Sequence, residues 1–188
     1  MYTTAALVPQ TTSRQALLEG QREILAAIAS EKPLPDILEL ICRIIEAQSV
    51  GLMCSILLLD ESNQHLLHGA APSLPADYCA LVNGACIGPN IGSCGAAAHS
   101  GEPVIVDDIS THPNWAPIRD IAYGRFGLRA CWSTPIRRYD GRVVATFAMY
   151  YREPRKPTLH ERKLIDFSSH LVAIAVNRHA ERTELGTL

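Results

Sequence analysis

Asp140-Gly141 lies between two apolar runs, 128–138 and 143–151, and this juxtaposition restricts the fold more than any other feature of the chain. An Asp-Gly pair accepts the positive backbone angles of a two-residue turn, whose twist matches that of paired antiparallel strands. The C-terminal half therefore holds a β-hairpin. A second hairpin is expected upstream. There the apolar run 51–59 ends in Asp60-Glu61-Ser62-Asn63, and His65-Leu66-Leu67-His68-Gly69-Ala70 follows. With a short strand at 104–106, five or six antiparallel strands are expected, at 50–59, 64–71, 104–106, 128–138 and 143–151.

Helical periodicity is confined to the two ends and to short pieces between strands. Leu17, Leu18, Ile24, Leu25 and Ile28 recur among Arg14, Glu19, Arg22 and Glu23, which predicts an amphipathic helix over 13–30. Lys32-Pro33-Leu34-Pro35 breaks it, and Ile37, Leu38, Ile41, Ile44 and Ile45 mark a second helix over 34–48. Thr158 followed by Glu161 is a capping box opening a third helix, 158–182, with a stripe of Leu164, Phe167, Leu171, Ile174 and Ala175. Short helices are expected at 76–82 and after Gly92-Ser93-Cys94-Gly95, and partial helix at 115–126. Hairpins without regular crossover helices imply an α+β fold, an antiparallel sheet with the terminal helices on one face. The expected organisation is a tail (1–12), a helix and linker (13–33), one domain (34–182) and a second tail (183–188).

The 188 residues carry a formal net charge of −2, and their basic residues are dispersed, which argues against a duplex nucleic-acid partner. No stretch of about 20 apolar residues suggests a membrane span. The N-terminus lacks the basic and apolar regions of a secretory signal. Six cysteines, Cys42, Cys54, Cys79, Cys86, Cys94 and Cys131, contain no CxxC pair and no zinc spacing. They read as reduced thiols, which predicts a cytoplasmic protein.

Gly92-Ser93-Cys94-Gly95-Ala96-Ala97-Ala98-His99-Ser100-Gly101-Glu102-Pro103-Val104-Ile105-Val106-Asp107-Asp108-Ile109 resembles the central signature of GAF domains. So do Gly127-Leu128-Arg129-Ala130-Cys131-Trp132-Ser133-Thr134-Pro135-Ile136, the Asp140-Gly141 hairpin, and Arg152-Glu153-Pro154-Arg155-Lys156-Pro157-Thr158. The pattern is most similar to GAF sensors of bacterial histidine kinases and of cyclic-di-GMP signalling proteins with GGDEF or EAL domains. The resemblance implies a pocket for a small molecule on the sheet face away from the terminal helices. It also implies a regulatory, non-catalytic role, kinase or cyclic-di-GMP output domains as partners, and a homodimer through the terminal helices. A chain with no output domain of its own is expected to be a piece of a larger protein or a stand-alone partner.

The residues expected at the ligand are Ser93, Cys94, Asp107, Asp108, Trp115, Phe126, Cys131 and Ser133. Cys94 opens a helix, an environment that favours a thiolate, and similar cysteines serve free methionine-(R)-sulfoxide reductases of the same fold. That enzyme class is one alternative; a ligand-free dimerisation module is another. The acidic substrate-binding residues expected in such a reductase are replaced here by Phe126, Gly127, Leu128 and Arg129. The chain lacks the Asn-Lys-x-x-Phe-x-x-x-Asp-Glu string of cyclic-nucleotide binders, and none of its cysteines precedes a His, as in bilin attachment. His99 and His112 are solvated-loop candidates before they are haem ligands. Asp107 and Asp108 fit either a ligand amine or a turn cap, and Trp115 and Trp132 either a stacking or a core role. Along 128–136, parity places Leu128, Ala130, Trp132, Thr134 and Ile136 on one face and Arg129, Cys131 and Ser133 on the other. The sequence assigns no cofactor and no metal.

Overall fold

A computed structural model describes residues 10–185. In chain order the elements are α1 (Gln10–Ala29), α2 (Leu34–Glu46), β1 (Met53–Leu59), β2 (His65–Ala70), α3 (Ala76–Val82), β3 (Ala85–Cys86), α4 (Gly92–Ser100), β4 (Val104–Val106), β5 (Ala130–Arg137), β6 (Val143–Tyr151) and α5 (Leu159–Leu185). Of the tail expected at 1–12, residues 1–9 lie outside the described residues, and 10–12 form the first turn of α1. Nothing in Gln10-Thr11-Thr12 breaks a helix once Pro9 is passed. Residues 183–185 likewise belong to α5 rather than to a tail, and 186–188 lie outside the described residues.

The strands form one antiparallel sheet in the order β3-β2-β1-β6-β5-β4. Both expected hairpins are present, β1 with β2 and β5 with β6. Between them β1 pairs with β6, from Met53 opposite Tyr150 to Leu58 opposite Ala145. In β2 the register slips at Gly69: Leu57 faces His68 whereas Ile56 faces Ala70. A Cβ at Gly69 would lie 2.8 Å from the Ile56 carbonyl oxygen, so this bulge admits only glycine. The two-residue strand β3 was not expected; it is too short to carry an alternating pattern.

The alternation of β1, β5 and β6 divides two cores. Cys54, Ile56, Ala130, Trp132, Ile136, Ala145, Phe147, Met149 and Tyr151 face α1, α2 and α5. Met53, Leu57, Cys131, Ala148 and Tyr150 face the irregular middle of the chain. The terminal helices thus cover one face, as expected. Each fully buried large apolar side chain contributes about 1.5–3 kcal/mol, and Ile24, Leu38, Ile41, Ile45, Leu164 and Leu171 supply this from the helices.

Of the two roles weighed for Trp132 the core role is the one observed, and one reading of the β5 region, the parity of Leu128, needs correction. Trp132 is a helix-side core residue whose indole N–H donates to the Arg155 carbonyl at 3.2 Å, so it is not available to a ligand on the other face. Leu128 precedes the strand, bonds through its N–H to Ala122, and packs with the middle segment; parity fails for it because the extended run begins two residues later. Residues 115–126, expected to be partly helical, form a 3-10 turn at Pro113–Ile118 and a wide π turn at Asp120–Arg125. Pro113 starts the first, and Pro117 keeps it from extending as an α-helix.

Candidate functional site

The middle of the chain is folded over β1, β6 and β5 by α4. Gly92 opens this helix at φ +59°, a left-handed angle that a side chain disfavours. The turn aims Ser93 and Cys94 down at the sheet. Ser93 is completely buried, and its hydroxyl donates to the Cys131 carbonyl at 3.1 Å and accepts from the Trp115 indole N–H at 3.2 Å. One side chain therefore ties together α4, β5 and the 113–118 turn.

Beside Ser93 is a cavity enclosing about 360 Å³ of atom-free space, its mouth included. Its floor is Leu57, Leu66 and Tyr150 of the sheet. One wall is Ile91 to Gly95, a second is Trp115 and Ile118, and a third is Tyr78 and Val82 of α3 with Ala85 of β3. No charged side chain and no histidine lines it. The polar side chains among its lining residues are Ser93, Cys94, Tyr78, Tyr150 and Trp115. Only about 40 Å³ of this space admits the centre of a water-sized molecule, far below the roughly 300–1,000 Å³ typical of ligand pockets.

Polar groups continue beneath Cys94. Cys94 Sγ is 3.6 Å from the Tyr150 hydroxyl, which also receives the Ser55 hydroxyl at 3.4 Å. Tyr150 packs edge-on against Tyr78 at 6.3 Å, and Tyr78 against Phe126 at 5.6 Å. Hydrogen bonds from Cys131, and then from Ser133, Tyr150 and Thr146, favour the ionised Cys94 and outweigh its burial, so its thiol lies below the ordinary range. Burial, and then the neighbouring Cys94, push Cys131 the other way. The Ser133 and Thr146 hydroxyls are buried and have no other hydrogen-bond partner.

Of the eight residues singled out in the sequence, Ser93, Cys94 and Trp115 line the cavity. Cys131 and Ser133 lie beneath it on the sheet, and Phe126 backs Tyr78 at its edge. Asp107 and Asp108 are elsewhere. The Asp108 carboxylate takes both Nε and Nη2 of Arg129, at 3.1 and 2.8 Å, and the N–H and hydroxyl of Ser110; these bonds, led by Arg129, hold it well below the usual carboxylate range. Asp107 pairs with Lys156 at 3.4 Å. His112 Nδ1 accepts from the Asn114 N–H and caps its own turn. Among the described residues, no group of three His, Cys, Asp or Glu is placed to hold a metal ion.

Sequence reasoning missed Tyr78, Thr146 and Tyr150. A signal existed for the last two: in Val143-Val144-Ala145-Thr146-Phe147-Ala148-Met149-Tyr150-Tyr151, Thr146 and Tyr150 share a parity opposite to Phe147 and Met149. A polar residue every second or fourth position in an apolar strand marks the face where hydroxyls are wanted.

Known proteins agree with this architecture. A curated relative, the methyl sulfide methyltransferase-associated sensor of Methanosarcina acetivorans, is 36% identical over 169 residues, which is 90% of this chain but 17% of that protein. The chain thus spans under one fifth of that relative's length. The GAF domain of an Acinetobacter phosphoenolpyruvate-protein phosphotransferase superposes with a TM-score of 0.66 at 22% identity, covering 87% of this chain and 94% of that one. The free methionine-R-sulfoxide reductase of Neisseria meningitidis, solved with its substrate, gives 0.68 at 17% identity, covering 96% and 98%. At such identities the two structures establish the fold alone. The GAF domain family model matches residues 31–177, so the chain belongs to the GAF domain family.

Proposed function

We propose that the chain is the regulatory, non-catalytic sensing domain of a signal-transduction protein, and that it binds a small uncharged molecule in the cavity between α4 and the sheet. The observation that carries this reading is the cavity itself: a mostly apolar lining with a few hydroxyl and thiol groups and no charged side chain. Such a lining suits a compact apolar ligand with one or two hydrogen-bonding atoms. The sensor-named relative at 36% identity supports the regulatory role. Kinase or cyclic-di-GMP modules are the proposed outputs and the cytoplasm the proposed location; no described helix is long and apolar enough to cross a membrane.

Turnover of free methionine sulfoxide is disfavoured by the same lining. That substrate carries an ammonium and a carboxylate, and burying either without a partner costs several kcal/mol. The test has two arms. Native mass spectrometry and an absorption scan of freshly purified protein should reveal a retained neutral ligand, or a panel of uncharged metabolites should raise Tm. Ile118→Trp, which fills the mouth, should weaken that binding at least tenfold. In the second arm, NADPH consumption coupled through thioredoxin should show no turnover of methionine-(R)-sulfoxide. Turnover lost on Cys94→Ser would reassign the chain to the reductases. No ligand in any assay would favour a pure interaction module.

A further inference from the structure

Hydrogen bonds hold each of the three cavity walls in place. The Trp115 indole N–H donates to the Ser93 hydroxyl at 3.2 Å, and that hydroxyl donates to the Cys131 carbonyl at 3.1 Å. Two walls are thereby tied to each other and to β5. Behind Ile91, the Gly95 N–H donates to the Ile91 carbonyl at 3.1 Å and the Gly88 N–H to the Gly95 carbonyl at 3.2 Å. A Cβ at Gly95 would lie 2.8 Å from the Ile91 Cβ, so this wall has no slack. The third wall is anchored to β2: the Gly84 N–H donates to the Leu66 carbonyl at 2.8 Å, and the His68 N–H to Asn83 Oδ1 at 2.8 Å. Widening the space would break bonds of this set. Within the walls, about 40 Å³ admits the centre of a water-sized molecule. At about 10–15 Å³ per water, that is room for about three. Bonded atoms lie about 1.5 Å apart, roughly half the spacing of hydrogen-bonded waters, so the same room takes about six bonded non-hydrogen atoms. The lining is a second filter. No charged side chain borders the space. Ser93 and Trp115 are engaged with each other, and the Tyr150 hydroxyl receives Ser55 at 3.4 Å and meets Cys94 Sγ at 3.6 Å. A molecule with several hydrogen-bonding atoms would leave some of them unmade, which is unfavourable in a buried place.

We propose that the cavity is a size-limited site for an uncharged, mainly apolar molecule of about three to six non-hydrogen atoms with at most one hydrogen-bonding atom. Short-chain ketones, alcohols, ethers and thioethers form this class. The inference rests on the reading of the cavity as the sensing site and narrows what enters it. Nucleotides and tetrapyrroles exceed the room several times over, and a free amino acid brings two charges that find no counter-charge in the lining. Ile118 sets the upper limit together with the Ser93–Trp115 bond. A Cβ placed on Gly92 would stand 3.5 Å from the Trp115 ring and 3.6 Å from Ile118 Cδ1, so both side chains close over the start of α4. Ile118 is only half-buried, and it makes no hydrogen bond through its side chain, so it can be trimmed without undoing the bonds that hold the walls. The limit has a signature in affinity. An open apolar surface strengthens binding about fourfold for each added methylene, without a break. A closed room does so only until it is full; the next carbon must then displace a wall.

Titration of the full chain with a series of ketones, from acetone through butanone and pentan-2-one to octan-2-one, tests this. The readout is the NMR shift of the Trp115 indole N–H, a cavity-wall group, with the Trp132 indole on the helix side of the sheet as the internal control. Affinity should rise up to about pentan-2-one and then fall about tenfold by octan-2-one, with Trp115 moving and Trp132 still. Propionate and butylammonium, of butanone's size, should bind about a hundredfold more weakly than butanone. Ile118→Ala should move the optimum one or two carbons toward the longer ketones. The wild-type series needs no variant to fold. Unbroken tightening through octan-2-one would overturn the proposal, as would equal binding of the charged molecules or an optimum unmoved by Ile118→Ala. A larger uncharged metabolite that displaces butanone with higher affinity would overturn the size limit and leave the sensing reading standing. Failure of every ketone and every metabolite to shift Trp115 would overturn both.

Discussion

Ser93 joins three elements through one hydroxyl, and its removal is the sharpest test of how the site is held. Ser93→Ala leaves the Trp115 indole N–H and the Cys131 carbonyl without their partner in a place water does not reach. The expected loss is about 1–3 kcal/mol, read from urea unfolding monitored by Trp115 and Trp132 fluorescence. Ser133→Ala should behave differently. Its hydroxyl has no partner beyond the Cys94 sulfur, so stability should change by less than about 0.5 kcal/mol. An equal loss for both variants would mean that burial alone, not the Ser93 bonds, holds α4. At this scale the sequence shows the residues of the Gly92-Ser93-Cys94-Gly95 turn and the parity of Cys131 with Ser133. It hides the partners of Asp108, because Arg129 lies 21 positions away and nothing local announces the pair. A carboxylate after a strand looks the same whether it waits for a ligand or is already neutralised.

The start of α5 shows what an element's own grammar can and cannot reveal. The capping box read from Thr158 and Glu161 is present: the Thr158 N–H donates to Glu161 Oε2 at 2.8 Å, and the Glu161 N–H to the Thr158 hydroxyl at 3.3 Å. Not legible was the second use of the same carboxylate. Glu161 is 2% exposed, takes the Tyr151 hydroxyl at 2.5 Å and pairs with Arg155 at 2.8 Å. Arg155 in turn lies over the Tyr151 ring at 4.1 Å. Tyr151 is the neighbour of Tyr150 on β6, so a residue of the cavity floor and the latch of α5 are consecutive on one strand. Burial pushes the Glu161 carboxyl up, but the bonds from Tyr151 and Thr158 and the charge of Arg155 outweigh it and hold it below the usual range. A carboxyl lowered in the folded state stabilises the fold above its unfolded pKa and ceases to do so as pH falls through the folded value. The wild type should therefore lose stability progressively below about pH 4.5, the ordinary glutamate range. Glu161→Ala should be about 3 kcal/mol less stable at pH 7, because Arg155 loses its buried partner. Its stability should also fall less between pH 5 and 3 than that of the wild type. Parallel pH dependences in thermal unfolding would show that other carboxylates dominate the acid response.

At the scale of the whole molecule, the order of elements and the layering follow from two turns and two breaks in period, which is why the architecture was legible. The Asp140-Gly141 turn and the polar stretch 60–63 force hairpins, and Pro33 and Thr158 bound the helices. Assembly is less legible, because a helical stripe does not say which of its residues the monomer uses. Leu17 and Leu171, natural targets from the sequence, pack on the helix-side core, and Glu at either position would damage the monomer before it reported on a partner. Among the α1 residues whose burial is described, the monomer buries Gly20, Ile24, Ala27 and Ile28. Leu18 and Leu25 are 51% and 39% exposed, and a spacing of seven puts them on one face of the helix, away from that core. The proposed homodimer through the terminal helices should use this face. Light scattering and sedimentation across a concentration series should show a dimer that dissociates on dilution. Leu18→Glu combined with Leu25→Glu should give a monomer at every concentration. Neither position is buried, so unfolding measured at a concentration where the wild type is monomeric should differ by no more than about 0.5 kcal/mol per substitution. A wild type that stays monomeric at all concentrations would remove the dimer. A variant that stays dimeric would move the interface to another surface, with α5 as the next helix to probe. Loss of the dimer with the fold intact would place the contact on α1, where a cavity ligand could bias helix packing only through unequal affinity for two arrangements.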